Sequence, residues 1–288
     1  MKVIVTCGPS YEPIDEVRRL TNFSTGELGV HLSNQLAHAG FEVFCLKGSG
    51  ATFPGPGEQC HLSQFNTNDD LLALLAQTSV AHEIAAVLHV AALCDYKVRR
   101  VEDDQGRSCD SPKIASRSGA LTISLEPATK VISQLRRLFP ESILIGWKYE
   151  LAGARQEALI KAVRQIEENH TDGCVLNGKA FGPGFAFCRA PHALKECRDK
   201  DELVQFLTTW LQDAQHSSVA CHTKGCEGRV ANGQTFFAGE RFADSMRNEY
   251  RRVSPPLGLH TNHGDQKKPQ HNPQHKSPRR SKWIHASR

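Results

Sequence analysis

The feature that most limits what this chain can fold into is a repeated exchange of two hydrophobic rhythms over its first 212 residues. Residues 2–7 form a β-branched run that stops at Gly8-Pro9, and residues 26–39 carry Leu28, Val30, Leu32, Leu36 and Ala37 at helical spacing before Gly40. Residues 41–46 read as a second strand. After a Gly/Pro loop, Asn68 is placed to cap a helix running to about Val80, with Leu71, Leu72, Leu74 and Leu75 inside it. Residues 84–92 are a long apolar strand, 121–125 alternate like a strand, and 129–138 are helical with a basic Arg136-Arg137 end. Residues 142–147 are again an apolar strand and 150–169 a long helix. Short strands at 173–176 and 185–188 and a last helix at 199–211 follow. Continuous apolar strands between amphipathic helices predict an α/β fold, a Rossmann-like, mostly parallel sheet with helices on both faces. Such sheets bind ligands outside the carboxyl ends of their strands, which directs attention to the loops 8–25 and 94–112.

Composition fits a globular body with an unusual end. Residues 213–288 carry 13 Lys/Arg against 6 Asp/Glu, a net of +7, whereas the first 212 residues sum to −3. The basic excess therefore belongs to a tail, and any nucleic-acid contact would be nonspecific and made by it. From Pro255-Pro256 onward the chain is rich in His, Gln, Asn, Lys and Pro, a composition that predicts disorder. The domain expectation is thus a folded unit at 1–212 and a low-complexity basic tail at 213–288. Ten cysteines are scattered without a C-x-x-C pair, and several sit inside apolar runs, as at Cys7 and Cys45. That usage points to a reducing compartment. The N-terminal apolar run is too short for a signal peptide, and no stretch approaches a membrane span, so the expected location is cytoplasmic.

Five constellations carry chemistry. The first runs from Gly8 through Glu12-Pro13-Ile14-Asp15, Val17-Arg18, Asn22 and Ser24-Thr25-Gly26 to Gly29, a strand, a polar loop and a helix start in succession. Backbone N–H groups at such a start favour an anion, Arg18 can clamp phosphate or carboxylate oxygens, and the Asn22 amide can hold a carbonyl. Taken singly, each has a plainer reading: Ser24 or Thr25 caps a helix and Arg18 is a solvated charge. The second, Ala91 to Tyr96, places Asp95 after the longest apolar strand. The third, Ser111-Pro112-Lys113-Ile114, closes a polar stretch from Lys97 suited to a mobile flap that brings a lysine over phosphates. In the fourth, Glu126-Pro127-Ala128-Thr129-Lys130, a proline leads into a helix start. The fifth joins Gly146-Trp147 to Lys161 on the next helix.

In this order the five resemble phosphopantothenate–cysteine ligases, the ligase half of the DNA/pantothenate-metabolism flavoprotein family, over residues 1–212. The opening signature is the specific part; Asn177 after Val175 adds to the order. The resemblance implies a two-step reaction in coenzyme A biosynthesis. The carboxylate of 4′-phosphopantothenate, or a related acid, attacks the α-phosphate of CTP or ATP with Mg²⁺, and the amine of cysteine then displaces the nucleotide. It implies a catalytic set of Asn22, Arg18, Lys113 and Ala91. It implies a nucleotide site of Asp95, Lys113, Ala128, Thr129, Lys130, Trp147 and Lys161, no protein-held metal, a homodimer, and no flavin.

The chain also departs from that pattern. Glu27 stands where a lysine is usual, Ala115 follows Lys113-Ile114 where further lysines are common, Gln165 replaces a second helix lysine, and Trp147 replaces a phenylalanine. Two other readings compete. An NAD(P)-dependent reductase on the same sheet expects a Gly-x-Gly-x-x-Gly turn, which Gly8-Pro9-Ser10 does not supply, and none of the four tyrosines is followed four positions on by lysine. A non-catalytic nucleotide- or RNA-binding module expects repeated aromatics or a nucleic-acid motif in its basic arm, and the tail lacks both. His216, Cys221, His222 and Cys226 have no common zinc-site spacing.

Overall fold

A computed structural model of the chain describes residues 1–116, 119–189 and 193–223. In chain order its elements are β1 (Lys2–Cys7), β2 (Tyr11–Pro13), β3 (Arg19–Thr21), α1 (Glu27–His38), β4 (Glu42–Gly48), β5 (Cys60–Phe65), α2 (Asn68–Ala81) and β6 (Ala86–His89). There follow β7 (Tyr96–Glu102), β8 (Thr122–Pro127), α3 (Ile132–Leu138), β9 (Ile143–Tyr149), α4 (Arg155–Asn169), β10 (Gly173–Asn177), β11 (Phe185–Arg189), β12 (Ala193–Cys197) and α5 (Lys200–Thr223). Eight strands form one sheet in the order β12-β11-β10-β9-β6-β1-β4-β5. The run from β10 to β5 is parallel throughout, and β11 and β12 close one edge antiparallel. From β1 the chain steps outward to β4 and β5, then returns to place β6 on the other side of β1. The strand order therefore reverses between β1 and β6, which is where an open α/β sheet leaves a crevice.

The period-2 alternation of each strand sorts its side chains into two cores. Val3, Val5, Val43, Leu88, Ile145 and Val175 meet Leu32 and Leu36 of α1 and Leu203 and Leu207 of α5. On the other face Ile4, Leu46, Val87 and Leu144 meet Leu71 and Leu75 of α2 and Ile132 and Leu135 of α3. The helix α4 covers the far end of that face, setting Ala158, Ala162 and Ile166 over Cys174, Leu176 and Cys188. Each fully buried Leu, Ile or Val contributes about 1.5–3 kcal/mol, so these layers, more than propensity, hold the elements in register.

The two-faced α/β architecture expected from the sequence is present, with differences in detail. Residues 60–65 form an edge strand that the polar segment Cys-His-Leu-Ser-Gln-Phe does not announce; four of its six side chains are exposed. The stretch from Lys97, expected as a mobile flap, starts as β7 of the antiparallel hairpin β7–β8, bulged between Val98 and Arg100 and tied across by the Lys97–Glu126 ion pair, and runs on from residue 103 as turns and loop. The cap of α2 is Thr67 and not Asn68: the Thr67 hydroxyl accepts the Asp70 N–H while the Asp70 carboxylate accepts the Thr67 N–H. The helix α4 begins at Arg155, because β9 continues to Tyr149 and a left-handed turn at Gly153 intervenes. The last helix does not stop at Leu211 but runs to Thr223, so residues 213–223 are helical and not tail. The remainder of the expected basic tail, residues 224–288, lies outside the described residues.

Candidate active site at the carboxyl edge of the sheet

At the reversal point the ends of β1 and β6 are bound into one unit. Ser10 N–H donates to the Ala92 carbonyl and Ala92 N–H to the Gly8 carbonyl (2.9 Å). Thr6, fully buried at the end of β1, accepts the Ala91 N–H on its hydroxyl (3.2 Å) and lies 2.9 Å from His89 Nδ1. Burial holds His89 neutral, depressing its pKa to about 4. Ala91 is thereby fixed by a threonine rather than free to present its N–H to a ligand.

The loop between β1 and α1 folds as the β2–β3 hairpin, and Asp15 organises it. Its carboxylate, 1% exposed, accepts N–H groups from Val17 (2.9 Å), Arg18 (2.6 Å) and Ile114 (3.2 Å). Burial opposes its charge, but these bonds and the Arg18 guanidinium outweigh it and hold the carboxyl below the usual range. Arg18 Nη2 donates to the Ile114 carbonyl (2.6 Å), and Glu16 N–H to that of Pro112 (3.0 Å). The segment carrying Lys113 is therefore stapled to this loop, with Ile114 buried and Lys113 exposed. Arg18, read from the sequence as an anion clamp, also holds the neighbouring segment. Asn22 lies exposed at the end of β3, its amide donating to the Leu93 carbonyl (2.8 Å). At the helix start Gly26 takes the cap position with φ +80, where a Cβ would meet the Cβ of Ala51 at 3.0 Å, and the Thr25 hydroxyl accepts the Glu27 N–H (3.3 Å).

Asp95, Ala128, Thr129 and Lys130 come together beside α2. Ala128 N–H donates to the Asp95 carbonyl (2.9 Å) and Thr129 Oγ1 to Asp69 Oδ1 (2.5 Å), leaving the Asp95 and Lys130 side chains exposed. Trp147 sits one strand further out, half-buried at the end of β9, its indole N–H buried without a partner among the described residues. Lys161 is tied to Glu150 (2.6 Å), which also holds Lys148 (3.3 Å). Burial works against the Glu150 charge, but the two ammonium groups prevail and keep its carboxyl below the usual range. Gln165 reaches inward to the Trp147 carbonyl (3.3 Å). Glu27 pairs with Lys200 of α5, which holds its carboxyl low. Of the substituted positions, Glu27 thus pairs ionically with α5 and Gln165 bonds to the backbone of β9. Thr6, His89 and Asn68 escape a reading of the sequence, because only their partners 83, 26 or 61 positions away give them a role.

A doubly wound α/β domain whose post-strand loops at 8–29, 91–96, 112–114 and 128–130 are tied together at its reversal point has the architecture that binds ligands at the carboxyl edge. The sequence profile of the DNA/pantothenate metabolism flavoprotein C-terminal domain matches residues 1–204, and the chain belongs to that family. It is 28% identical over 183 residues to the coenzyme A biosynthesis bifunctional protein CoaBC of Thermococcus kodakarensis, covering 63% of this chain and 42% of that protein. The chain therefore spans about two fifths of that relative's length. The crystal structure of the DNA/pantothenate metabolism flavoprotein from Streptococcus pneumoniae matches with a TM-score of 0.66 at 24% identity, covering 74% of this chain and 99% of that one. A mutant of Cab2 in complex with phosphopantothenate-cysteine matches at 0.59 and 16% identity, covering 77% and 88%. Both structures share the fold.

Proposed function

We propose that the chain is a nucleotide-dependent carbon–nitrogen ligase of coenzyme A biosynthesis that joins 4′-phosphopantothenate, or a related acid, to cysteine. The observation that supports this reading is the staple between Arg18 and Ile114, 96 positions apart, which ties the segment carrying Lys113 to the loop carrying Arg18 and Asn22. A carboxylate acylates poorly until one oxygen becomes part of a phosphate leaving group. In the first step a substrate carboxylate oxygen attacks the α-phosphorus of CTP or ATP, and the bond to pyrophosphate breaks. Lys113 and the N–H groups of Arg18 not given to Ile114 meet the charge that builds on the phosphates. In the second step the cysteine nitrogen attacks the acyl carbonyl, loses a proton, and the nucleotide leaves. Asn22 orients that carbonyl, and Asp95, Ala128, Thr129, Lys130, Trp147 and Lys161 line the nucleotide site. Mg²⁺ enters as the counter-ion of the triphosphate. Flavin has no part in this reaction.

A second copy of the chain fits the exposed apolar side chains Val17, Leu20 and Phe23 on one hairpin loop and Tyr96 and Leu125 on the other. The homodimer is part of the proposal, as is action in the cytoplasm, a setting that eight free cysteines among the described residues suit. Incubation with 4′-phosphopantothenate, cysteine and CTP or ATP tests the reading by pyrophosphate release. Release that depends on the acid, followed by a cysteine amide, is expected; no release with either nucleotide rules it out. Sedimentation of the wild type against a Phe23→Asp variant tests the dimer, which the charge should split.

A further inference from the structure

We infer that Asn68 is a positioning residue for the nucleotide: it clasps the loop after β6 to the turn at 128–130 and so sets the gap between them. The inference rests on the ligase reading above, whose nucleotide site those two segments supply. Asn68 is the first residue of α2, but capping is already complete without it, through Thr67 and Asp70. Its side chain is instead buried, 2% exposed, and spends both amide hydrogens on distant backbone: the Cys94 carbonyl (2.8 Å) and the Thr129 carbonyl (2.9 Å). Both partners can only accept, which fixes the orientation of the amide. Oδ1 is then left buried with no donor among the described residues.

That unpaired acceptor separates a clasp from general packing. A leucine would fill the space with no unpaired atom, and a threonine can donate only once; only a primary amide of this length donates to both carbonyls. Two shorter ties reinforce the same joint, Ala128 N–H to the Asp95 carbonyl and Thr129 Oγ1 to Asp69. Through Leu71 and Leu75, fully buried against the sheet, α2 anchors the whole block. Asp95, Thr129 and Lys130 are thus held in one frame by a helix that contributes no ligand contact of its own to the proposed mechanism.

The test compares Asn68→Asp and Asn68→Leu with the wild type. Asn68→Asp keeps size and suits a helix N-terminus, but sets carboxylate oxygens against two carbonyls. Asn68→Leu keeps packing and removes both donors. Measurements are nucleotide dissociation constants by calorimetry, KM for nucleotide, acid and cysteine, and the ligand-free melting temperature. Both variants are expected to unfold cooperatively and to bind CTP or ATP on the order of tenfold more weakly, with KM for acid and cysteine unchanged. Variants that bind nucleotide as the wild type does, that lose all three KM values in proportion, or that both fail to fold overturn the clasp while the ligase reading stands. A wild type that binds neither nucleotide overturns the ligase reading and the inference with it.

Discussion

Thr6 and His89 show how much of the candidate site is made by residues without a motif. A neutral imidazole buried with a pKa near 4 ties stability to pH. In the unfolded chain this histidine titrates near 6.5, so above that pH neither state carries its proton and the full contribution is present. As pH falls from 6.5 towards 4, only the unfolded chain takes up the proton, and stability drops by roughly 3 kcal/mol. Denaturant titrations at pH 6.5 and 4.5 should show the greater part of that loss in the wild type and a much flatter response in His89→Gln; equal slopes would exclude it. Arg18, Asn22, Asp95 and Lys113 enter the proposal through the resemblance carried by the order of their motifs, which the linear sequence displays. Lys113→Gln should lower pyrophosphate release by on the order of 100-fold with unchanged folding. Asn22→Asp should depress product more than pyrophosphate, leaving an acyl-nucleotide to accumulate. Because the same change sets an acid against the Leu93 carbonyl, melting is followed alongside, and equal losses in both steps would remove the division of roles.

Among the elements, those with a fully apolar strand or a clear helical stripe could be read directly from the chain: β1, β4, β6, β9, β10, α1 and α2 overlie the segments the hydrophobic period marks, and α4 does so after a late start at Arg155. The elements that could not be read are polar. The strand β5 lies at the sheet edge with most side chains in water, and β7, in which Val101 alone is buried, is tied by charges across to β8. Such strands owe their existence to pairing partners, which a periodicity does not contain. Gly29 marks the closest approach of α1 to the sheet, where a Cβ would lie 2.2 Å from the Cβ of Cys7. Alanine there favours helix, but overpacking outweighs that gain, and Gly29→Ala should lower stability by about 1–3 kcal/mol. Because α1 starts at the candidate anion site, the same variant should weaken nucleotide binding. A wild-type melting temperature in Gly29→Ala would mean that α1 rides further from β1.

For the whole molecule, the ligase reading predicts that CTP or ATP with Mg²⁺ raises the melting temperature. Saturation at 100 times Kd adds about 2.7 kcal/mol, and NADPH should add nothing. A shift with NADPH alone would favour the reductase reading. The order of the strands has a further consequence during synthesis on the ribosome. By the time α2 has emerged, β1, β4 and β5 can already pair as a half-sheet, but the flank of β1 that β6 will cover is still bare. Nascent chains of that length carry an open, strongly apolar β-edge in the middle of what will become the sheet, able to recruit the same edge of a neighbouring polypeptide. The segment at 86–89 that relieves this hazard is also the one that brings His89 and Ala91 to Thr6. Sealing the sheet and assembling the crevice are therefore one event, and a chain stalled before it is at once inactive and prone to aggregate.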